Sequence, residues 1–249
     1  MGEGVSIAIE GTEVLANPGE TIMNAADAAG IYIPRLCHRE DLVPHGSCRV
    51  CTVLVNGRPQ AACTTPVAPG MIVVNDRPDL NELRRQLIEM LLVEGNHFCM
   101  FCEKSGNCEL QALAYRFGIL TPRFPQLAPK REVDASHPDI LLDHNRCILC
   151  ARCIRASRDK DGKYELGFVG RGPGKRLSAG SRGVLVHTGI EVEDDAVSVC
   201  PVGALLEKRV GYAVPVGRRK YDSSPIGFDI EQGTKRVGSE ARSLAATDE

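Results

Sequence analysis

The chain has 249 residues, enough for two or three small domains, with 43% hydrophobic and 25% charged residues, as is ordinary for a soluble protein. Its 30 basic and 32 acidic residues give a formal net charge of −2, which argues against nucleic acid as a main partner because phosphate binding needs a basic excess. Aromatics are only 4% and Trp is absent, so the cores rest on aliphatic residues or small domains are held together by something else.

The first residues show no basic n-region and no apolar h-region, so no secretory signal is expected. No apolar run approaches a membrane span, so none is expected. Met1-Gly2-Glu3-Gly4-Val5-Ser6 matches the loose myristoylation pattern, but a strand pattern already starts at Val5, and chance is the plainer reading. A cytoplasmic protein is the default. In that compartment thiols stay reduced, so many cysteines point to metal rather than disulfides.

Residues 1–78 read as mainly β. Val5 to Ile9 alternates, Glu10-Gly11 turns it, and Asn17-Pro18-Gly19-Glu20 is a second turn. Thr21 caps a predicted helix through Ala29, which Gly30 ends. Val50–Val55 and Arg58–Ala62 flank Asn56-Gly57, a strong hairpin signal, and Met71–Val74 is one more strand. From Pro78 the pattern turns helical: Leu80, Leu83, Leu87, Ile88 and Leu91 share a face, with Asp79 or Asn81 as the expected cap and Gly95 as the stop. A second helix is predicted from Cys108 to Phe117, stopped by Gly118, before a linker marked by Pro122, Pro125 and Pro129. A cysteine-rich loop and helix then reach Ser157, Asp161-Gly162 turns into a strand at Tyr164–Val169, and Glu193–Ser198 forms a short helix. Beyond Gly211 the chain is rich in Gly, Pro and Arg. Arg218-Arg219-Lys220 is either a solvated basic stretch or a docking arm, and the last dozen residues are expected to be disordered.

The eleven cysteines fall into three groups. Cys37, Cys48, Cys51 and Cys63 form the first, Cys99, Cys102 and Cys108 the second, and Cys147, Cys150, Cys153 and Cys200 the third. Iron–sulfur clusters are held by thiolates, usually four. Groups of four, three and four need one further ligand to make three tetrads, and His97 stands beside the group that is short. His38 is its rival through its place beside Cys37, where the set is already complete. His45, His137, His144 and His187 carry no such claim. Close pairs separated by two residues let a tight loop aim both sulfurs at one cluster, with backbone N–H groups pointing at them. Gly46 and the small Ser47 suit such a loop before Cys48.

The first set, with a close pair and two outlying cysteines on a small β domain, fits a 2Fe–2S cluster. The third has the rhythm of a bacterial 4Fe–4S site, but Ser157 stands where a second cluster's cysteine would follow, and the remote Cys200-Pro201 completes the set. A four-cysteine zinc site is the competing reading of either. The chain shows no dinucleotide fingerprint. Gly170-Arg171-Gly172-Pro173-Gly174-Lys175 does not match a phosphate-binding loop. No catalytic residue is picked out, so reaction chemistry is expected on partner subunits.

This order of sites resembles the N-terminal part of the large iron–sulfur subunit of respiratory complex I. A chain this short is more similar to the diaphorase small (gamma) subunit of soluble NAD-reducing nickel–iron hydrogenases. The resemblance covers roughly residues 5–230. It is carried by Glu94-Gly95-Asn96-His97-Phe98-Cys99, by Cys102 to Gln111, and by Lys208-Arg209-Val210-Gly211-Tyr212 leading to Arg218-Arg219-Lys220-Tyr221. Only Phe98 separates His97 from Cys99, whereas the complex I pattern has three residues there; the hydrogenase-type subunit shares the short gap.

The resemblance implies an α+β architecture. A β-grasp ferredoxin-like 2Fe–2S domain (1–78) is expected first, then a helical 4Fe–4S segment with one histidine and three cysteine ligands (79–125). A small ferredoxin-like 4Fe–4S domain (126–215) and an extended C-terminal tail (216–249) follow. The implied role is electron relay between a hydrogenase pair of small and large subunits and a diaphorase partner carrying FMN and the NAD site. The same relay in an NAD-dependent formate dehydrogenase or a complex I-like NADH dehydrogenase is the nearest alternative. A zinc-stabilised interaction module and a stand-alone ferredoxin-like shuttle belong to different classes.

Overall fold

In the computed structural model, which describes residues 4–127 and 129–233, strand β1 (Val5–Ile9) pairs antiparallel with β2 (Thr12–Ala16), and Ile9 faces Thr12. That register leaves Glu10 and Gly11 as a two-residue loop. Both have positive φ, 52° and 77°, as a hairpin matched to the strand twist requires. Strand β3 (Thr52–Val55) pairs antiparallel with β4 (Arg58–Ala61) across the predicted Asn56-Gly57 turn. Strand β5 (Ile72–Val74) runs parallel to β1 and antiparallel to β3, giving the order β2-β1-β5-β3-β4. Helix α1 (Ile22–Ala28) starts where Thr21 Oγ1 accepts the Asn24 amide at 3.2 Å, the cap the sequence predicts. Ile7, Ile9 and Val14 meet Met23 and Ala26 in one core, while Leu15, on the other face of β2, is exposed. A mixed sheet curled over one helix is the β-grasp arrangement.

Helix α2 (Pro78–Glu94) corrects one expectation. It starts at Pro78, with Arg77 in the cap position, and neither Asp79 nor Asn81 caps it. Proline at the first helical position gives up no needed hydrogen bond and presets φ. Asp79 instead pairs with Arg77, and the Asn81 side chain donates to Asp76 at 2.6 Å. Gly95 ends the helix as expected, though in extended backbone. Its missing Cβ matters for space, because a Cβ there would lie 2.5 Å from His97 Nε2 and 2.8 Å from the Asn145 carbonyl oxygen. Buried Arg84 donates to the Thr52 carbonyl at 2.8 Å and to the Asn75 carbonyl and side-chain oxygens at 2.7 Å, tying α2 to the sheet.

Helix α3 (Glu109–Arg116) packs Leu110 and Leu113 against Ile88 of α2. The same core takes Leu36 and Val50 from the N-terminal part and Val202 and Ala204 from the far side of the third cysteine group. Apolar packing is therefore continuous through the segments that carry all three groups.

A smaller sheet follows, in the order β10-β7-β6, from β6 (Val133–Asp134), β7 (Ile140–Asp143) and β10 (Leu205–Glu207). A hairpin of β8 (Leu166–Val169) and β9 (Arg176–Ala179) lies beside helices α4 (Arg152–Asp159) and α5 (Asp195–Ser198). Strand β8 is shorter than predicted because Tyr164 has φ 54°, which is not strand backbone. Ser157 is buried, and its hydroxyl accepts the Glu165 amide at 3.1 Å, a structural role at the position where a second ferredoxin cysteine would stand.

The segment after Pro215 folds back on the molecule and ends in a short helix, α6 (Phe228–Glu231). The Lys220 amide donates to Asn107 Oδ1 at 2.8 Å and the Tyr221 amide to the Gly106 carbonyl at 3.0 Å. Within the basic stretch, Arg219 pairs with Asp222 at 2.8 Å. The first three residues of the myristoylation pattern and the final dozen residues, expected to be disordered, lie outside the described residues.

Candidate metal centres

The first set closes around the loop before β3 and the turn after β4. Cys51 Sγ lies 3.3 Å from Cys63 Sγ, and the Cys37 amide donates to Cys48 Sγ at 3.4 Å. Hydrogen bonds from the Cys48 and Cys63 thiols hold Cys37 far below the ordinary thiol range despite its burial, and the same sharing pushes Cys48 and Cys63 up. All four side chains thus meet at one place. The loop is curled: Gly46 and Arg49 both have positive φ, 73° and 59°. A Cβ on Gly46 would come within 3.0 Å of Thr64 Cγ2, beside Cys63.

The second set lines one cavity. His97, Cys99, Cys102 and Cys108 border it, together with Arg146 and Gly203. Burial, aided by the positive charge of Arg146, lowers the His97 pKa to about 4, leaving the neutral imidazole that can coordinate a metal. His38, the rival, is buried beside Cys37, and neither of its ring nitrogens has a hydrogen-bond partner among the described residues. Cys108 serves twice, since its sulfur also accepts the Gln111 amide at 3.5 Å and so caps α3.

The third set borders an apolar cavity walled by Leu142, Leu177 and Leu205. Leu149 and Ala151 adopt left-handed backbone, φ 52° and 57°, between the close cysteines. That kinking brings Cys147, Cys150 and Cys153 to the wall that Cys200 completes. Burial pushes the Cys147 thiol up to about 11 and Cys150 to about 12. Amides of Leu149, Arg152 and Ile154 point at the three sulfurs of this run, as those of Lys104 and Gln111 do at Cys102 and Cys108.

The donor chemistry fits iron–sulfur clusters: cysteine sulfurs in fours, or three with one neutral imidazole, and amides aimed at sulfur. Among the described residues, no group of three or more Cys, His, Asp or Glu side chains surrounds a point that one metal ion would fill. The second and third sets instead border cavities.

The third set is in contact with both of the others. Arg155, on α4, donates to the Cys37 carbonyl and, at 3.5 Å, to the Cys150 carbonyl. Arg152 donates to the His38 carbonyl at 2.8 Å and pairs with Glu109 at 2.7 Å. On the other side the Glu109 amide donates to the Pro201 carbonyl at 2.8 Å, and Gly203 sits against the second set, where a Cβ would lie 2.7 Å from Cys102 Sγ. Spacing alone did not single out Arg146, Arg152 or Arg155. Their only local signal is adjacency to the third cysteine run.

The chain is 42% identical over 223 residues to the gamma subunit of the NAD-reducing hydrogenase HoxS of Cupriavidus necator, an alignment covering 89% of this chain and 95% of that one. The chain belongs to this hydrogenase gamma-subunit family. A chain in a crystal structure of an NAD+-reducing [NiFe]-hydrogenase in the H2-reduced state superposes with TM-score 0.86 at 47% identity, over 89% of this chain and 94% of that one. Family models match in order: a 2Fe-2S iron-sulfur cluster binding domain over 2–78, an NADH-ubiquinone oxidoreductase-G iron-sulfur binding region over 84–123, and the ferredoxin-like domain of NADH-quinone oxidoreductase subunit 3 over 137–206. More distant relatives include the mitochondrial NADH-ubiquinone oxidoreductase 78 kDa subunit of Neurospora crassa, 35% identical over 89% of this chain but only 30% of that one. The corresponding 78 kDa chain of Candida albicans is 35% identical over 82% of this chain and 28% of that one. This chain thus spans less than a third of the length of those longer relatives. Among the described residues, no helix is long and apolar enough to cross a membrane.

Proposed function

We propose that this chain is the iron–sulfur relay of an H2:NAD+ oxidoreductase complex, passing single electrons between a hydrogenase module and a diaphorase partner that carries FMN and the NAD site. The observation that carries the reading is the gathering of three thiol sets in one molecule, with the third in contact with both the first and the second. When bound, the clusters supply one-electron carriers whose potentials follow charge, hydrogen bonding and burial.

Cys37, Cys48, Cys51 and Cys63 hold a 2Fe–2S cluster. His97, Cys99, Cys102 and Cys108 hold one 4Fe–4S cluster, and Cys147, Cys150, Cys153 and Cys200 the other. The neutral state of His97 supports its place among the ligands. The protein's own work is positional. Left-handed kinks at Arg49, Leu149 and Ala151 bend the loops so that several sulfurs face one volume. The buried side chains of Arg155 and Arg152 clamp the third loop to the first by donating to main-chain carbonyls. Apolar side chains wall the third set.

The chain contributes no catalytic residue; hydrogen and NAD chemistry belong to the partner subunits, which are hydrogenase small and large subunits and the flavin subunit. We place the complex in the cytoplasm, and the domains at 1–78, 79–125 and 126–215, followed by the tail 216–249. Iron, acid-labile sulfide and zinc are to be measured on anaerobically purified protein. About 10 iron (2 + 4 + 4) with as many sulfides and little zinc is expected. Zinc at about three per chain without sulfide would leave a zinc-stabilised binding module instead.

A further inference from the structure

Arg146 belongs by sequence to the third set, immediately before Cys147, yet its guanidinium lines the cavity of the second. Its Nη1 lies 3.7 Å from Cys102 Sγ and 3.4 Å from the Gly203 carbonyl. The missing side chain of Gly203 makes room for this approach. A Cβ there would lie 2.7 Å from Cys102 Sγ and 3.4 Å from Arg146 Nη1. Two carboxylates hold the guanidinium, Glu103 at 2.7 Å on the same Nη1 and Asp143 at 3.0 Å on Nε. Glu103 directly follows Cys102, so it brings a negative charge to the same thiolate that Arg146 approaches with a positive one.

We propose that Arg146 and Glu103 form a charge pair that sets the reduction potential of the second site, Arg146 raising it and Glu103 lowering it. The proposal rests on the cluster assignment above. One-electron reduction adds one negative charge to the site while no bond is made or broken. A fixed cation donating N–H to a ligand sulfur stabilises that reduced charge, and an adjacent carboxylate destabilises it. An arginine keeps its proton throughout, so the cation is constant over the working pH range. The third cavity is not lined by Arg146, so the effect is directed at one site of the three. The second site is thereby tuned by a residue carried on the neighbouring site's loop.

The test is a redox titration of the assembled complex, followed by electron paramagnetic resonance, with iron content measured on each variant. Arg146→Gln is expected to move the second-site midpoint potential down and Glu103→Gln to move it up. Arg146→Lys keeps the charge and is expected to stay near the wild-type value, a rescue that a purely structural role does not predict. The third-site signal is expected to move less than the second in every variant. Should Arg146→Gln lose about four iron per chain, Glu103→Gln carries the test alone. A full iron complement with potentials unmoved, or moved in the same direction by both neutralising changes, overturns the proposal and leaves the relay reading standing. Iron well short of about ten in the wild-type complex overturns the cluster assignment and the proposal with it.

Discussion

A thiol buried among leucines resists ionisation, and this has a direct consequence for how the sites take up metal. Cys147 is pushed up to about 11 and Cys150 to about 12, with burial the main cause in each. At neutral pH these groups are protonated in the cluster-free chain, whereas the metal-bound form needs thiolates. Cluster loading must therefore release protons, and the sign follows: below these values each fall in pH favours the empty, protonated site. Iron retention against a fixed chelator is expected to strengthen steadily from pH 6 to pH 9. Retention that is flat across that range would mean the thiols are already ionised. A second consequence concerns Gly203. It stands in the Cys200 segment, but its Cβ would press on Cys102 Sγ at 2.7 Å. Gly203→Ala is expected to remove the second cluster, about four iron, while the adjacent third cluster stays. Loss of the third cluster alone in that variant would contradict the packing between the two loops.

Secondary structure was legible where a local rule governs it. The Asn56-Gly57 turn, the Thr21 cap and the Gly95 stop all arise from residues within a few positions of one another. The spacing of cysteines was legible for the same reason, since close pairs reflect the reach of one loop, and the structure gathers the residues that spacing grouped. Contacts across long stretches of chain were not. Arg155 meets a carbonyl 118 positions away, and Arg146 reaches a sulfur 44 positions away. Neither distance leaves a periodic mark in the sequence. The short strands β6 and β10 were also hidden, being two and three residues long and defined by their partner β7 rather than by propensity. The union of α2 with the sheet depends on one such long-range residue. Arg84→Ala would strand the acceptors of Thr52 and Asn75 in a buried place and is expected to cost about 3 kcal/mol. Arg84→Lys should recover only part of this, because an ammonium cannot reproduce the planar fork. The thermal midpoints of the two variants check the ranking.

At the scale of the whole chain, the cores differ in how far they depend on the thiol sets. The N-terminal core of Ile7, Ile9, Met23 and Val53 is closed by a five-stranded sheet and a helix. The later part has a three-stranded sheet, a two-stranded hairpin and short helices, and its cysteine side chains border the cavities that interrupt its packing. Clusters filling those cavities, as proposed, would tie Cys108 to His97 and the distant Cys200 to Cys147, in the way a structural metal replaces missing core. Hydrogen exchange after complete chelation is therefore expected to lose protection across residues 79–210 first, while β1, β3 and β5 keep theirs. A chelated chain that still melted in one cooperative transition spanning residues 79–210 would show that aliphatic packing between α2, α3 and the smaller sheet suffices without the clusters.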